Sequence, residues 1–192
     1  MIRVITVLVS VVFLAACNGA RDLDEAPVPL GDFNLVHNIA VASKATKGPL
    51  SREMSEEALA KALTDATAER FDRYEGARRY HFGMSVEGYI LAQPGIPLVF
   101  APKSALIINF TLWDDAKNAK LTPEPKQFTV LESFDQGPIV GSGYTKSAEE
   151  QLKNLSQNAA KQIENFLVQQ NAEKGWFDGT DADALLTPVV AE

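Results

Sequence analysis

Two segments, Tyr80–Leu91 (YHFGMSVEGYIL) and Ala105–Trp113 (ALIINFTLW), place large apolar side chains at alternate positions. Nothing constrains the fold of this chain more tightly. Side chains of a strand point to opposite faces with a period of two, so both segments read as half-buried strands. Tyr80, Phe82, Met84, Val86 and Ile90 fall on one side of the first, against His81, Ser85 and Glu87 on the other. In the second, Leu106, Ile108, Phe110 and Leu112 oppose Ile107, Asn109, Thr111 and Trp113. A sheet with one apolar face has to bury it under another layer.

Two helical patterns supply that layer. From Ser51 to about Tyr74, Leu59, Ala62, Leu63 and Ala66 recur at helical spacing, with Glu53, Glu56 and Glu57 where the macrodipole favours anions and Gly76 to end the run. Ser147 and Glu150 have the spacing of a capping box. Beyond it Leu152, Leu155, Ala159, Ile163, Phe166 and Leu167 form one stripe down to about Gln169. Two further strands are expected, Leu35–Ala42 and Gln127–Phe134, the latter with Phe128, Val130 and Phe134 in phase. Gly48-Pro49 marks a turn, and Asp114–Pro125 reads as an exposed hairpin loop. The order is β-α-β-β-β-α. It predicts a two-layer α+β domain, a four-stranded mixed sheet with two helices on one face. The first two strands should pair in parallel through a right-handed crossover, with an antiparallel meander after them.

The only cysteine, Cys17, directly follows an apolar run. Met1-Ile2-Arg3 is a short positive start, and Val4–Ala16 is apolar except for Thr6 and Ser10. As a helix that run spans roughly 20 Å, short of the ~30 Å hydrocarbon core. It has the shape of a secretory signal rather than of a span. Leu14-Ala15-Ala16-Cys17 resembles the bacterial lipobox at all four positions. That resemblance implies cleavage before Cys17, a diacylglycerol on its thiol and an acylated amine. Two or more acyl chains hold a protein stably on a bilayer where one does so only marginally. The competing reading is an uncleaved signal anchor. Asn18, where enterobacterial sorting for the inner membrane uses aspartate, points to the outer membrane with the domain facing the periplasm; the inner membrane and the cell surface are the alternatives.

The expected organisation is a signal peptide over 1–16, a lipidated tether over 17–33, the α+β domain over 34–170 and a flexible acidic tail over 171–192. The tether, NGARDLDEAPVPLGDF after the cysteine, is rich in acids, prolines and glycines and reads as flexible, with a reach on the order of 20 Å. Without residues 1–16 the chain carries a formal charge of −8, since Arg3 is the only charge lost. That balance, with no basic stripe, argues against nucleic acid as a partner. A lone cysteine excludes an intramolecular disulfide and a cysteine-rich metal site.

The chemistry is sparse. His37 and His81 read as ordinary sheet histidines without a partner at ligand spacing. Gly141-Ser142-Gly143 lacks the glycine spacing of a nucleophile elbow, and Asp178–Asp183 lacks that of a calcium loop. Trp113-Asp114-Asp115 reads as a polar strand exit before a cation site. No catalytic residue, metal ligand or cofactor-binding residue is expected. One connection is unusual: Ala92–Ser104 (AQPGIPLVFAPKS) carries Ile96, Leu98, Val99 and Phe100 between prolines, where hairpin loops are short and polar. An apolar tip of this kind marks a partner or lipid contact, unless it folds back over a sheet edge.

The lipobox, the acidic tether and the β-α-β-β-β-α order, with "LIINFTLWDD" followed by "GSGYTKSAEEQLKNLSQNAAKQIENFL", resemble in layout several families of small Gram-negative envelope lipoproteins. Lipopolysaccharide-assembly lipoproteins, lipoprotein activators of peptidoglycan synthases and several uncharacterised lipoprotein families are among them, and the two quoted segments are most similar in layout to the uncharacterised ones. A tethered domain with an unusual apolar loop and no catalytic constellation points to a non-enzymatic, lipid-anchored accessory protein that binds an envelope protein or lipid, through the 92–104 loop or the sheet face. A carrier of an apolar ligand between sheet and helices is the alternative, and a hydrolase a more distant one.

Overall fold

The computed structural model describes residues 20, 22–93, 104–132 and 146–178. The lipobox, Cys17, the apolar loop tip with Ile96, Leu98, Val99 and Phe100, Phe134, and the Gly141-Ser142-Gly143 segment lie outside the described residues. The elements are β1 (Asn34–Val41), β2 (Thr46–Lys47), α1 (Glu56–Phe71), β3 (Arg79–Ile90), β4 (Ala105–Asp114), β5 (Ala119–Lys120), β6 (Lys126–Leu131) and α2 (Ala148–Lys174). β1 pairs in parallel with β3, β3 antiparallel with β4, and β4 antiparallel with β6. The mixed α+β sheet expected from the sequence is therefore present. It gains two short strands: β2 continues the parallel edge beside Gly88 and Tyr89, and β5 folds back on Trp113 and Asp114. Both helices bury their stripes on the same sheet face, in one core that joins Leu59, Leu63, Leu155, Ile163 and Leu167 to Phe82, Ile108 and Phe110.

Local chemistry explains the differences at the element ends. α1 starts at Glu56 because Ser55, not Ser51, caps it: its hydroxyl accepts from the Ala58 amide. Ser51 instead bridges to Ala92 and accepts from the Leu91 amide. In β3 the alternation breaks at a bulge between Val86 and Gly88. The extra residue reverses the phase, so Tyr89 and Leu91 are buried where the simple alternation had placed Ile90. α2 carries the expected capping box at Ser147 and Glu150 but runs on to Lys174, ending at Gly175 in the left-handed conformation (φ 61°).

The larger differences lie at both ends of the domain. Residues 22–33, expected to be a flexible tether, are ordered against the domain. Asp22–Asp24 form a 3-10 turn, and Leu30 and Phe33 are completely buried. Phe33 sits among Phe71, Tyr74, Tyr80, Phe82 and Phe177, with ring centroids 5.1–6.1 Å away. The chain turns into this position at Gly31 (φ 89°), where an added Cβ would lie 2.8 Å from the Phe177 carbonyl oxygen. The start of the expected acidic tail is likewise part of the core, because Trp176 and Phe177 are buried beneath the N-terminal segment. Segment 22–33 is a strap, closed by its own apolar residues on those of the C-terminal end.

Candidate functional site

The face of the sheet away from the helices carries no covering layer among the described residues. Its first row runs His37, His81, Trp113 and Lys120 across β1, β3, β4 and β5. The next is Ile39, Gly83 and Thr111, and a third is Val41, Ser85, Asn109 and Gln127. Ile39 is 63% exposed and Val41 51%, and Leu131 is 55% exposed at the far edge. Gly83 stands in mid-strand, and a Cβ built there meets nothing within 4 Å. The face therefore has a shallow hollow bordered by Ile39 and Thr111. β-Branched side chains suit a pleated surface, which accounts for Ile39, Val41 and Thr111 here. Exposed isoleucine and valine side by side on a strand are a different matter, since sheets with a wet face usually alternate to polar residues there.

The two histidines that the sequence left as separate are brought together by the parallel register. Their rings stack with centroids 4.9 Å apart. His81 Nε2 lies 3.2 Å from Asp115 Oδ1, while its Nδ1 is buried without a partner. The pairing His37↔His81 follows from parallel β1–β3 pairing, so the strand register was the signal that could have found it. Asp114 and Asp115 do not form a joint cation site. Asp114 is buried and paired with Arg78 at 3.1 Å, whereas Asp115 faces His81 and Arg79. Among the described residues, no group of three His, Cys, Asp or Glu side chains is placed to hold a metal ion.

The feet of the apolar loop are fixed. The Ser104 hydroxyl accepts from the Ala92 amide at 3.2 Å, and the buried Gln151 amide donates to the Ala92 carbonyl. Next to them Arg52 donates to the Lys146 carbonyl, and Lys146 pairs with Glu132. Ala92 and Ser104, the described ends of this connection, are thus tied to each other and to α2, while Ile96, Leu98, Val99 and Phe100 lie outside the described residues. The layer boundary, where an apolar ligand would sit, is filled by the protein's own rings: Phe71–Phe82 and Phe82–Phe110 centroids are each 4.9 Å apart.

A second constellation escaped the sequence. Arg70, 1% exposed, donates to Glu164 Oε2 (2.9 Å), Asp22 Oδ1 (2.7 Å) and the Ala20 carbonyl (3.2 Å). Lys161 bridges Asp22 Oδ2 (2.6 Å) and Glu164 Oε2 (2.7 Å). Tyr74 Oη lies 3.0 Å from Glu164 Oε1 and 2.9 Å from the Val28 carbonyl, and Arg73 donates to the carbonyls of Leu23 and Glu25. Asp22 and Glu164 are matched by Arg70 and Lys161, with Arg73 also 3.9 Å from Glu164 Oε1, so each buried charge has an opposite partner. Burial alone would push the Asp22 carboxyl up; the hydrogen bonds and charges of Arg70 and Lys161 outweigh it and hold the group at about 2. Burial, and then the Glu164 charge, push the Tyr74 phenol well above its usual value. A signal for this cluster was available, since Arg70 falls on the same helical stripe as Leu59, Leu63 and Ala66.

Fold and site together define a two-layer α+β domain, held shut by its own N-terminal strap and open on one sheet face. No helix among the described residues is long and apolar enough to cross a membrane. No family model and no curated protein matches the chain. Among solved structures it is similar to a candidate lipoprotein from Caulobacter crescentus, with 17% identity and a TM-score of 0.36 over 68% of this chain and 90% of that one. It is also similar to a protein from Xanthomonas campestris (14% identity, TM-score 0.39, 80% of this chain and 93% of that one). A third likeness is to a minor lipoprotein from Acinetobacter baumannii (12% identity, TM-score 0.29, 69% and 94%). At such scores and identities nothing about this chain's activity follows from these likenesses.

Proposed function

We propose that this chain is a lipid-anchored accessory protein of the bacterial cell envelope, attached through Cys17 and acting by binding an envelope protein rather than by catalysis. The observation that carries the binding role is the uncovered sheet face, with Ile39 and Val41 more than half exposed beside the hollow at Gly83. Water-exposed apolar side chains in a contiguous group are a feature of contact surfaces. The anchor is supported by the Leu14-Ala15-Ala16-Cys17 sequence behind a short apolar run. The outer membrane is its proposed site, from Asn18. The loop carrying Ile96, Leu98, Val99 and Phe100 is proposed as a second contact at the end of the same sheet.

Two measurements test this. Palmitate labelling in cells should mark the parent and not a Cys17→Ser variant; equal labelling overturns the anchor. A photo-crosslinking amino acid in place of Thr111 should trap a discrete envelope protein, and Ile39→Asp with Val41→Asp should abolish the adduct while the domain stays folded. No adduct at Thr111, or adducts that survive the double substitution, overturn the sheet face as the contact.

A further inference from the structure

The charged cluster at Asp22 fixes more than the strap. Ala20 and Asp22 lie over the seam between α1 and α2, held by Arg70 from one helix and Lys161 from the other. Ala20 is itself buried, 8% exposed. Three peptide units separate Cys17 from Ala20. Each spans at most 3.80 Å between Cα atoms, so the Cys17 Cα lies within about 11 Å of that of Ala20 whatever path the chain takes. The sheet face is on the far side of the domain, beyond a helix about 10–12 Å across and the sheet itself. An anchor on Cys17 reaches the helix side and is too short to let the sheet face meet the bilayer.

We infer that the Asp22–Arg70–Lys161–Glu164 cluster sets the orientation of the domain on its membrane, with the α1–α2 seam toward the lipid surface and the open sheet face turned away from it. This rests on the anchoring of Cys17 proposed above. The seam carries both charged and apolar side chains. Asp65, Glu69, Lys153 and Gln157 line a shallow groove with Ala62 and Ala66, and the leash alone brings this groove near the lipid. Arg73 and Tyr74 continue the attachment along the strap to Glu25 and Val28, which leaves no slack between the cluster and the core residues Leu30 and Phe33. The consequence is that the surface offered to a partner points into the aqueous compartment, available to a protein that is not itself embedded in the same leaflet.

The test separates orientation from cellular acylation. The chain from Cys17 to Glu192 is coupled through its lone thiol to a maleimide-headgroup lipid in phosphatidylcholine vesicles that also hold a nitroxide-headgroup lipid. Two emission reporters are compared: native Trp113 on the sheet face, and Gln157→Trp combined with Trp113→Phe on the seam. Trp176 is buried in both and cancels. The expected result is loss of emission from the seam reporter and none from Trp113. Loss from Trp113 alone, or equal loss from both, overturns the orientation. Asp22→Ala should reduce the difference by freeing the chain back to Leu23, the next residue held, through its carbonyl, by Arg73. A Gly-Ser insertion of ten residues between Gly19 and Ala20 should abolish it with the cluster intact, and a difference undiminished in both variants overturns the leash. Failure of Cys17 to label in cells would remove the proposed anchor but leave the vesicle result as it stands.

Discussion

Replacing Phe33 by alanine measures whether the strap belongs to the fold. The ring is completely buried and touches five others, from Tyr80 and Phe177 at 5.1 Å to Phe71 at 6.1 Å. Returning a phenylalanine side chain to water costs about 3 kcal/mol. The cavity left among rings that cannot all collapse inward, together with the lost edge-on and stacked contacts, brings the total to about 4 kcal/mol, within the ~3–5 kcal/mol typical of such truncations. For a domain of this size each kcal/mol lowers the melting temperature by roughly 2–4 °C, so a fall of roughly 10 °C is expected. The assay is urea unfolding of Phe33→Ala followed by circular dichroism, with Val28→Ala as the control. Val28 is in the same segment but 37% exposed, and its truncation should cost no more than about 0.5 kcal/mol. A loss below about 1 kcal/mol for Phe33→Ala would refute the reasoning. The segment would then be the dispensable linker its composition suggests, and the domain would begin at β1.

Two further outcomes are expected. The Asp22 carboxyl is held at about 2 in the fold against an ordinary 3.8, so its contribution is complete above about pH 4 and disappears as the pH falls through 2. Asp22→Asn should therefore lower the unfolding free energy from urea titration at pH 7, by an amount on the order of 1 kcal/mol once solvent screening is allowed for, and by less at pH 2.5; a loss of equal size at both pH values would sink the account. Gly83→Val has open space for its side chain and gains strand propensity, so stability should be unchanged or raised by up to about 1 kcal/mol. The same variant should weaken the Thr111 crosslink by filling the hollow, and an undiminished adduct would mean that the partner does not use it.

The strand–helix framework was legible because its signals are local. The alternation in 105–113 gives β4 almost residue for residue, and the Ser147 and Glu150 pair fixes the start of α2. The bulge after Val86 was not legible, since nothing in GMSVEGYI distinguishes a phase reversal from continued alternation until the partner strand is aligned. The stacked histidines depend on the same kind of information. Residues 18–33 failed for another reason. In a short window Asp22, Asp24, Glu25 and three turn-forming residues outweigh Leu30 and Phe33, and a composition argument averages the two buried residues away. The partners of Asp22 stand 48 and 139 positions along the chain, beyond the reach of any window.

That failure bears on function. An acid that reads as solvated linker is, in the fold, the counter-charge without which Arg70 and Lys161 would share a single carboxylate, Glu164, in a closed site. Removing one partner of such a cluster costs more than the cluster's own net contribution, because the remaining charge is left buried and uncompensated. The same Arg70 that pairs with Asp22 also holds the Ala20 carbonyl at the helix seam, three residues from Cys17. A looser linker would let the domain tumble at its anchor and offer every face in turn. In the orientation proposed above, this strap turns the helix seam to the membrane side and leaves the hollowed sheet, with Ile39 and Val41 exposed, for the proposed partner.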